Sequence, residues 1–197
     1  SVVLTGVANS SAAWGDYDND GNLDIILTGS GSSQIYRNNG NNSFTEQTSI
    51  SLFPITDGAV AWGDYDNDGD LDIILTGSGI SKIYRNNGNN SFSEQTSISL
   101  IGLLISEAAW GDYDNDGDLD ILLTGWIGPY NNISKIYRNN GDNTFTEQTS
   151  IALTSVGGGS STWADYDNDG DLDILLTGWT WTGTYGYISK IFRNNGD

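Results

Sequence analysis

Apolar residues along this chain fall in short runs bounded by Asp, Gly and Asn. Ile25-Ile26-Leu27-Thr28 lies between Asp24 and Gly29 and has the form of a buried strand. Gln34-Ile35-Tyr36-Arg37 carries β-formers and stops at the turn cluster Asn38-Asn39-Gly40. From Ser43 to Ile50 the chain is rich in Thr and alternates loosely. No segment sustains an apolar period of 3.6 residues. The pattern repeats. Aligned on Trp14, Trp62, Trp110 and Trp163, its copies are spaced by 48, 48 and 53 residues.

Each copy predicts four short strands: A, ending at the Trp; B, the Ile/Leu run; then C and D. Four strands per period of about 48 residues is the signature of a propeller blade or a related β array. A sheet this small cannot bury both faces alone, and stacking on its neighbours solves that. The expected fold is all-β: a β-propeller-type array of four four-stranded blades. It forms one repeat domain over residues 1–197, with units of approximately 1–48, 49–96, 97–149 and 150–197. The Trp of strand A and the apolar run of strand B are expected to fill the space between blades. Ser1-Val2-Val3-Leu4 aligns with Ser49-Ile50-Ser51-Leu52, and the last unit stops before its strand D, so the last blade is expected to lack its outer strand. A longer parent chain or self-association would complete that open edge.

Between strands A and B every unit carries an acidic loop. In the first it reads Asp16-Tyr17-Asp18-Asn19-Asp20-Gly21-Asn22-Leu23-Asp24. Carboxylates stand at loop positions 1, 3, 5 and 9, with Gly at position 6. Charges this dense repel one another unless a cation lies between them, and a flexible all-oxygen loop suits Ca²⁺ better than Mg²⁺. The candidate ligands are Asp16, Asp18, Asp20 and Asp24 through their side chains and Asn22 through its carbonyl. Their counterparts are Asp64, Asp66, Asp68, Asp70 and Asp72; Asp112, Asp114, Asp116, Asp118 and Asp120; and Asp165, Asp167, Asp169, Asp171 and Asp173. Four Ca²⁺ sites are expected. Position 12, where an EF-hand places a bidentate Glu, is Leu27, Leu75, Leu123 and Leu176, and a strand follows rather than a helix.

The segment Trp-Gly-Asp-Tyr-Asp-Asn-Asp-Gly-Asp-Leu-Asp-Ile, followed by Ile-Tyr-Arg-Asn-Asn-Gly and Phe-Thr-Glu, resembles the FG-GAP/VCBS repeat family. That family includes the blades of the integrin α-subunit propeller and many secreted bacterial proteins. The resemblance covers all four units. It implies propeller blades with Ca²⁺ in the hairpin between the first two strands, at Asp16, Asp18, Asp20 and Asp24 and their equivalents. Such propellers usually have seven or eight blades, and this chain has four.

Composition narrows the function. Cys, Met and His are all absent, which excludes disulfides, a Cys/His zinc site, thiol catalysis and a Ser-His-Asp arrangement. Net charge is -19, and 19 of the 26 acids belong to the loops, leaving no matched nucleophile and base for an enzyme. Seven Lys and Arg, spread through the repeats, argue against nucleic acid. No apolar run is long enough to span a membrane, and no signal peptide is visible. Arg37, Arg85, Arg138 and Arg193 recur after Tyr or Phe and are expected to hold carboxylates or carbonyls of an adjacent strand. Four Asn-x-Ser tripeptides, at Asn9, Asn41, Asn89 and Asn132, match the N-glycosylation pattern.

The units differ most between strands B and C. From the Thr of B to the Ile of C the count is 7 residues in units one and two, 12 in unit three and 14 in unit four. The added residues hold Trp126, Tyr130, Trp179, Trp181, Tyr185 and Tyr187, candidates for contact with a ligand or partner. A hairpin turning at Gly183 would pair Trp181 with Tyr185 and Trp179 with Tyr187. The leading expectation is a calcium-stabilised scaffold, extracellular or at the cell surface, for adhesion, recognition or self-assembly. The alternative is a glycan-binding, lectin-like module that uses these aromatic insertions.

Overall fold

The computed structural model describes residues 2–129, 131–181 and 183–196. These residues contain fifteen strands and no helix. The first blade comprises β1 (Ser11–Gly15), β2 (Asp24–Gly29), β3 (Ser32–Asn38) and β4 (Phe44–Glu46). The second comprises β5 (Ala59–Gly63), β6 (Asp72–Gly77), β7 (Ile80–Asn86) and β8 (Phe92–Glu94). The third comprises β9 (Ile105–Gly111), β10 (Asp120–Gly128), β11 (Asn131–Asn139) and β12 (Phe145–Glu147). The fourth has β13 (Ser161–Ala164), β14 (Asp173–Trp181) and β15 (Tyr185–Phe192). Each sheet is an antiparallel meander in chain order, four-stranded in the first three blades and three-stranded in the fourth.

Pleat alternation explains how one strand serves two neighbours. In β6, Ile74 packs with Ile121 and Leu123 of the third blade. Ile73 and Leu75, on the opposite face, pack with Ile26 and Ile35 of the first. A strand buried on both faces cannot show a polar/apolar alternation, and β6 is buried along its whole length. Leu122 and Ile136 repeat the arrangement against Ile174 and Leu176 of the fourth blade. The A strands β1, β5, β9 and β13 adjoin one another in chain order.

A second joint lies at the acidic-loop end of each blade pair. Trp62 stacks on Tyr17 of the preceding blade with centroids 6.0 Å apart and ring planes within 6°. Trp110 does the same on Tyr65 (6.2 Å, 9°) and Trp163 on Tyr113 (6.1 Å, 12°). Phe92 and Phe145 tilt against the first two of these pairs. Each indole lies flat on a glycine. A Cβ on Gly15, Gly63 or Gly111 would approach the incoming Trp Cδ1 to 2.7, 2.7 or 2.6 Å. This is the reason for Gly after Trp in Trp-Gly-Asp-Tyr. The expectation that all four tryptophans fill the space between blades holds for Trp62, Trp110 and Trp163. It fails for Trp14, which is 61% exposed because no blade covers its side of the first sheet.

Replacing Gly63 by Ala should overpack the joint between the second and third blades and cost about 1–3 kcal/mol. Tryptophan fluorescence during urea unfolding would show it as a lower midpoint. An unchanged midpoint would mean that Trp110 is not seated on Gly63.

Candidate metal centres and aromatic cleft

Each acidic loop is a tight turn between strands A and B. Asn19, Asn67, Asn115 and Asn168 at loop position 4 have φ of 55–59°, and glycines at position 6 have φ of 87–97°. Only glycine adopts the latter at no steric cost. The carboxylate at position 1 holds the turn: Asp16 accepts the backbone N–H groups of Asp20 (3.0 Å) and Gly21 (2.9 Å). Asp64, Asp112 and Asp165 do the same in their loops at 3.0–3.1 Å. Position 9 is the first residue of strand B and is buried. Asp24 accepts from the N–H groups of Tyr17 (3.2 Å) and Asn38 (2.7 Å). Asp72, Asp120 and Asp173 repeat both bonds.

In every loop the carboxylates of positions 1, 3 and 9 gather. Asp16, Asp18 and Asp24 each bring one oxygen within 4.8 Å of the others. The sets Asp64–Asp66–Asp72, Asp112–Asp114–Asp120 and Asp165–Asp167–Asp173 do the same. Position 5 lies outside the gathered set. One Asp20 oxygen accepts from the N–H of Asn22 (2.9 Å), and the other meets Arg37 (2.9 Å). Asp68, Asp116 and Asp169 meet Arg85, Arg138 and Arg193 in the same way. The same arginines reach position 3 through Nε, as Arg37 does to Asp18 at 2.5 Å. The recurring arginines therefore grip the loop of their own blade, joining positions 3 and 5.

Position 7 turns outward. Asp70 accepts from Asn19 of the preceding blade at 2.7 Å, Asp118 from Asn67 at 2.7 Å and Asp171 from Asn115 at 2.8 Å. Each loop is thus bonded to the next. The sequence reading missed these asparagines, although their recurrence at position 4 of every loop was the available signal.

The gathered carboxylates fit a cation. The donor set is all oxygen, the chemistry of a hard divalent ion. Asp18 Oδ1 and Asp66 Oδ1 are buried without a hydrogen-bond partner, though each belongs to a carboxylate that buries its charge. Such an oxygen is costly to leave unmatched. Burial pushes Asp24 up to about 6 and Asp72 and Asp120 up to about 7, with neighbouring loop carboxylates adding to the effect. Asp66 and Asp114 are raised for the same reason. Asp116 and Asp169, by contrast, are lowered chiefly by their hydrogen bonds from Arg138 and Arg193.

At the other end of the strands the inserted residues extend two B–C hairpins. β14 and β15 pair Trp179 with Tyr187 and Trp181 with Tyr185, as the sequence reading expected. Trp126, Trp179, Tyr185 and Tyr187 line an open cleft of about 360 Å³ with Ile105, which the sequence reading had not singled out. Trp181 does not line it and instead meets Tyr185 edge to face, with centroids 4.7 Å apart. Tyr130 lies outside the described residues. The cleft floor is held by its backbone. Trp179 exchanges two hydrogen bonds of 3.0 Å with Gly157, and its carbonyl accepts from Asn132 (3.1 Å). The Trp126 carbonyl accepts from the N–H of Leu104 at 2.8 Å.

The raised carboxyls set the sign of a pH dependence. In EDTA, Asp24, Asp72 and Asp120 titrate higher in the folded chain than unfolded. Their contribution to stability is full below about pH 4 and is lost as pH rises through 6 to 7. With a cation bound the same groups must be ionised, so the added stability is lost as pH falls through that range. Melting temperature should therefore fall from pH 5 to pH 8 in EDTA and rise over that interval in calcium chloride. Parallel pH profiles in the two buffers would contradict a shared role for these carboxylates.

Among solved structures the chain is similar to a lectin from Agrocybe aegerita, described for specific recognition of non-reducing terminal N-acetylglucosamine. The identity is 22% and the TM-score 0.63, and the match covers 93% of this chain and 52% of the lectin chain. The likeness supports the propeller-type fold, and the chain spans about half the length of that lectin. No curated protein matches. Among the described residues no helix is long and apolar enough to cross a membrane. The FG-GAP-like repeat model matches residues 16–75, 64–123 and 125–176. Those matches span most of the four blades and all or part of every acidic loop, and the chain belongs to the FG-GAP-like repeat family.

Proposed function

We propose that this chain is a calcium-stabilised extracellular scaffold for recognition, without catalytic activity. The carrying observation is the gathering of three carboxylates in each of four loops, with buried oxygens in two of them that no protein group satisfies. Ca²⁺ bound there supplies the positive charge that such a set requires. Asp16, Asp18 and Asp24, and their counterparts in the other loops, would hold it. All-oxygen calcium loops span a wide range of affinities, and its weak end suits modules that work at the calcium concentrations outside cells. Because each loop is bonded to the next through Asn19, Asn67 and Asn115, a loop that is held firm also steadies its neighbour.

A specific observation favours a second, compatible reading in which the recognised ligand is a glycan. The cleft of Ile105, Trp126, Trp179, Tyr185 and Tyr187 is open, and Tyr187 is 86% exposed. Aromatic faces on a floor fixed by hydrogen bonds suit the apolar faces of sugar rings. The cleft also lies at the opposite strand ends from the acidic loops, so the loops can steady the fold without blocking it.

Calcium should raise the melting temperature, and EDTA should reverse the change. At a hundredfold excess over Kd each site adds about 2.7 kcal/mol. Asp72→Asn should weaken calcium binding measured by calorimetry at one of the four sites, and an unchanged isotherm would remove that loop from the proposal. On a glycan array, binding by the native protein should be lost in Trp179→Ala while calcium stabilisation is retained. An array on which the native protein binds nothing would end the glycan reading and leave the scaffold reading standing.

A further inference from the structure

Two sets of asparagines tie each acidic loop to the next, and one set touches the gathered carboxylates directly. Asn86 ends strand C of the second blade and is buried. Its backbone N–H donates to Asp72 (2.8 Å), the carboxyl at position 9 of its own loop. Its side-chain amide donates to the carbonyl of Tyr17 (2.8 Å), which lies between positions 1 and 3 of the preceding loop. Asn139, equally buried, joins Asp120 (2.8 Å) to the Tyr65 carbonyl (2.7 Å). Asn194 joins Asp173 (2.8 Å) to that of Tyr113 (2.8 Å). A buried amide that lost such a bond would be costly to leave unmatched, so these ties hold firmly.

The second set runs the other way. The Asn19 amide, at position 4 of the first loop, reaches both the Asp70 carboxylate and the Gly69 carbonyl (3.4 Å) in the second. It thereby orients the peptide that enters position 7. Asn67 and Asn115 repeat both contacts on the third and fourth loops, with carbonyl distances of 3.3 Å. Every joint between blades thus carries two ties of opposite direction. An ion that orders one loop also stills the groups from which the next loop is hung. A second ion then pays less of the ordering entropy that binding costs.

We propose that calcium fills neighbouring loops with positive cooperativity, and that these asparagines are the positioning residues that transmit it. The inference rests on the calcium reading above and adds the regulation of those sites: the array stiffens over a narrow range of calcium concentration. Ions of like charge in adjacent loops repel one another, which opposes the effect. That repulsion acts between partly exposed loops and is screened by salt, whereas the asparagine ties are direct contacts. The coupling is short-ranged, because among the described residues these bonds join adjacent loops only. Coupling of ordinary strength changes a neighbour's affinity at least about fivefold.

A calcium titration of the whole chain in about 0.15 M salt, followed by NMR, tests this. The amide signals of Gly21, Gly69, Gly117 and Gly170, at loop position 6, report the four loops separately. Asp66→Asn disables the second loop and leaves the bonds of Asp72 in place. The calcium midpoints read at Gly21 and Gly117 should then rise at least about fivefold, and that at Gly170 should move less. Asn67→Gly cuts one tie to the third loop and tolerates the positive φ at that position. It should raise the Gly117 midpoint in the native background and have a smaller effect beside Asp66→Asn. A purely structural role for Asn67 would give equal effects in both backgrounds and would overturn its assignment. Midpoints at Gly21 and Gly117 that ignore Asp66→Asn would overturn the cooperativity and leave the calcium reading standing. A native chain whose four glycine signals do not respond to calcium would remove both.

Discussion

Electrostatic repulsion inside four small loops is the constraint that the rest of this structure accommodates. Three carboxylates with oxygens within 4.8 Å of one another cannot all be ionised in a partly buried site without a positive charge nearby. The chain supplies one guanidinium per loop, and Arg37 shows how far it goes: it meets positions 3 and 5 from the outside. The buried carboxyl at position 9 receives only backbone N–H groups, from Tyr17 and Asn38 in the first loop. Those two bonds tie the start of strand B to the loop on one side and to the end of strand C on the other. The one carboxyl thus holds together the A–B loop, the start of strand B and the end of strand C.

What is set in one loop is passed to the next by contact. Asn19 reaches Asp70 and Trp62 reaches Tyr17, so the acidic loops, the aromatic stacks and the buried strands share each boundary between blades. The energetic consequence is that of a linear repeat array, in which stability is a sum over blades and over their nearest-neighbour joints. Outer blades have one joint and inner blades two. The burial of the repeated Tyr follows the blade that comes after it: Tyr17 and Tyr65 are fully buried beneath Trp62 and Trp110, Tyr113 is partly buried beneath Trp163, and Tyr166 is exposed, although all four sit in near-identical sequence.

Much of this was legible in the sequence because the units are alike and each carries its own punctuation. Strand order, blade number and the pairing of Trp179 with Tyr187 followed from periodic Trp, apolar runs and Gly-centred turns. Two things were not legible. One is the ion pair at loop position 5, since Arg37 lies seventeen residues from Asp20 and meets it only once strand C folds back. The environment of Trp14 was also hidden, because burial of a repeated residue is decided by whether a neighbour covers it and not by its own motif. Local sequence specifies a blade, whereas the faces of a blade acquire their character from what stands beside them.

Near-identical repeats make their differences informative. Selection for a folded blade acts alike on all four units, so it accounts for Trp62, Trp110 and Trp163 on their glycines and for every acidic triad. It does not account for the long B–C hairpins, which only the third and fourth blades carry and which the first two fold without. Those hairpins add aromatic area in a place where it remains exposed, against the hydrophobic tendency that buries apolar surface elsewhere in the chain. The backbone of Trp179 is nonetheless held on both sides, by Gly157 and by Asn132. A surface that is exposed and yet rigidly supported is organised for contact, and the acidic loops, at the other end of the strands, are free to stabilise the array without taking part in that contact.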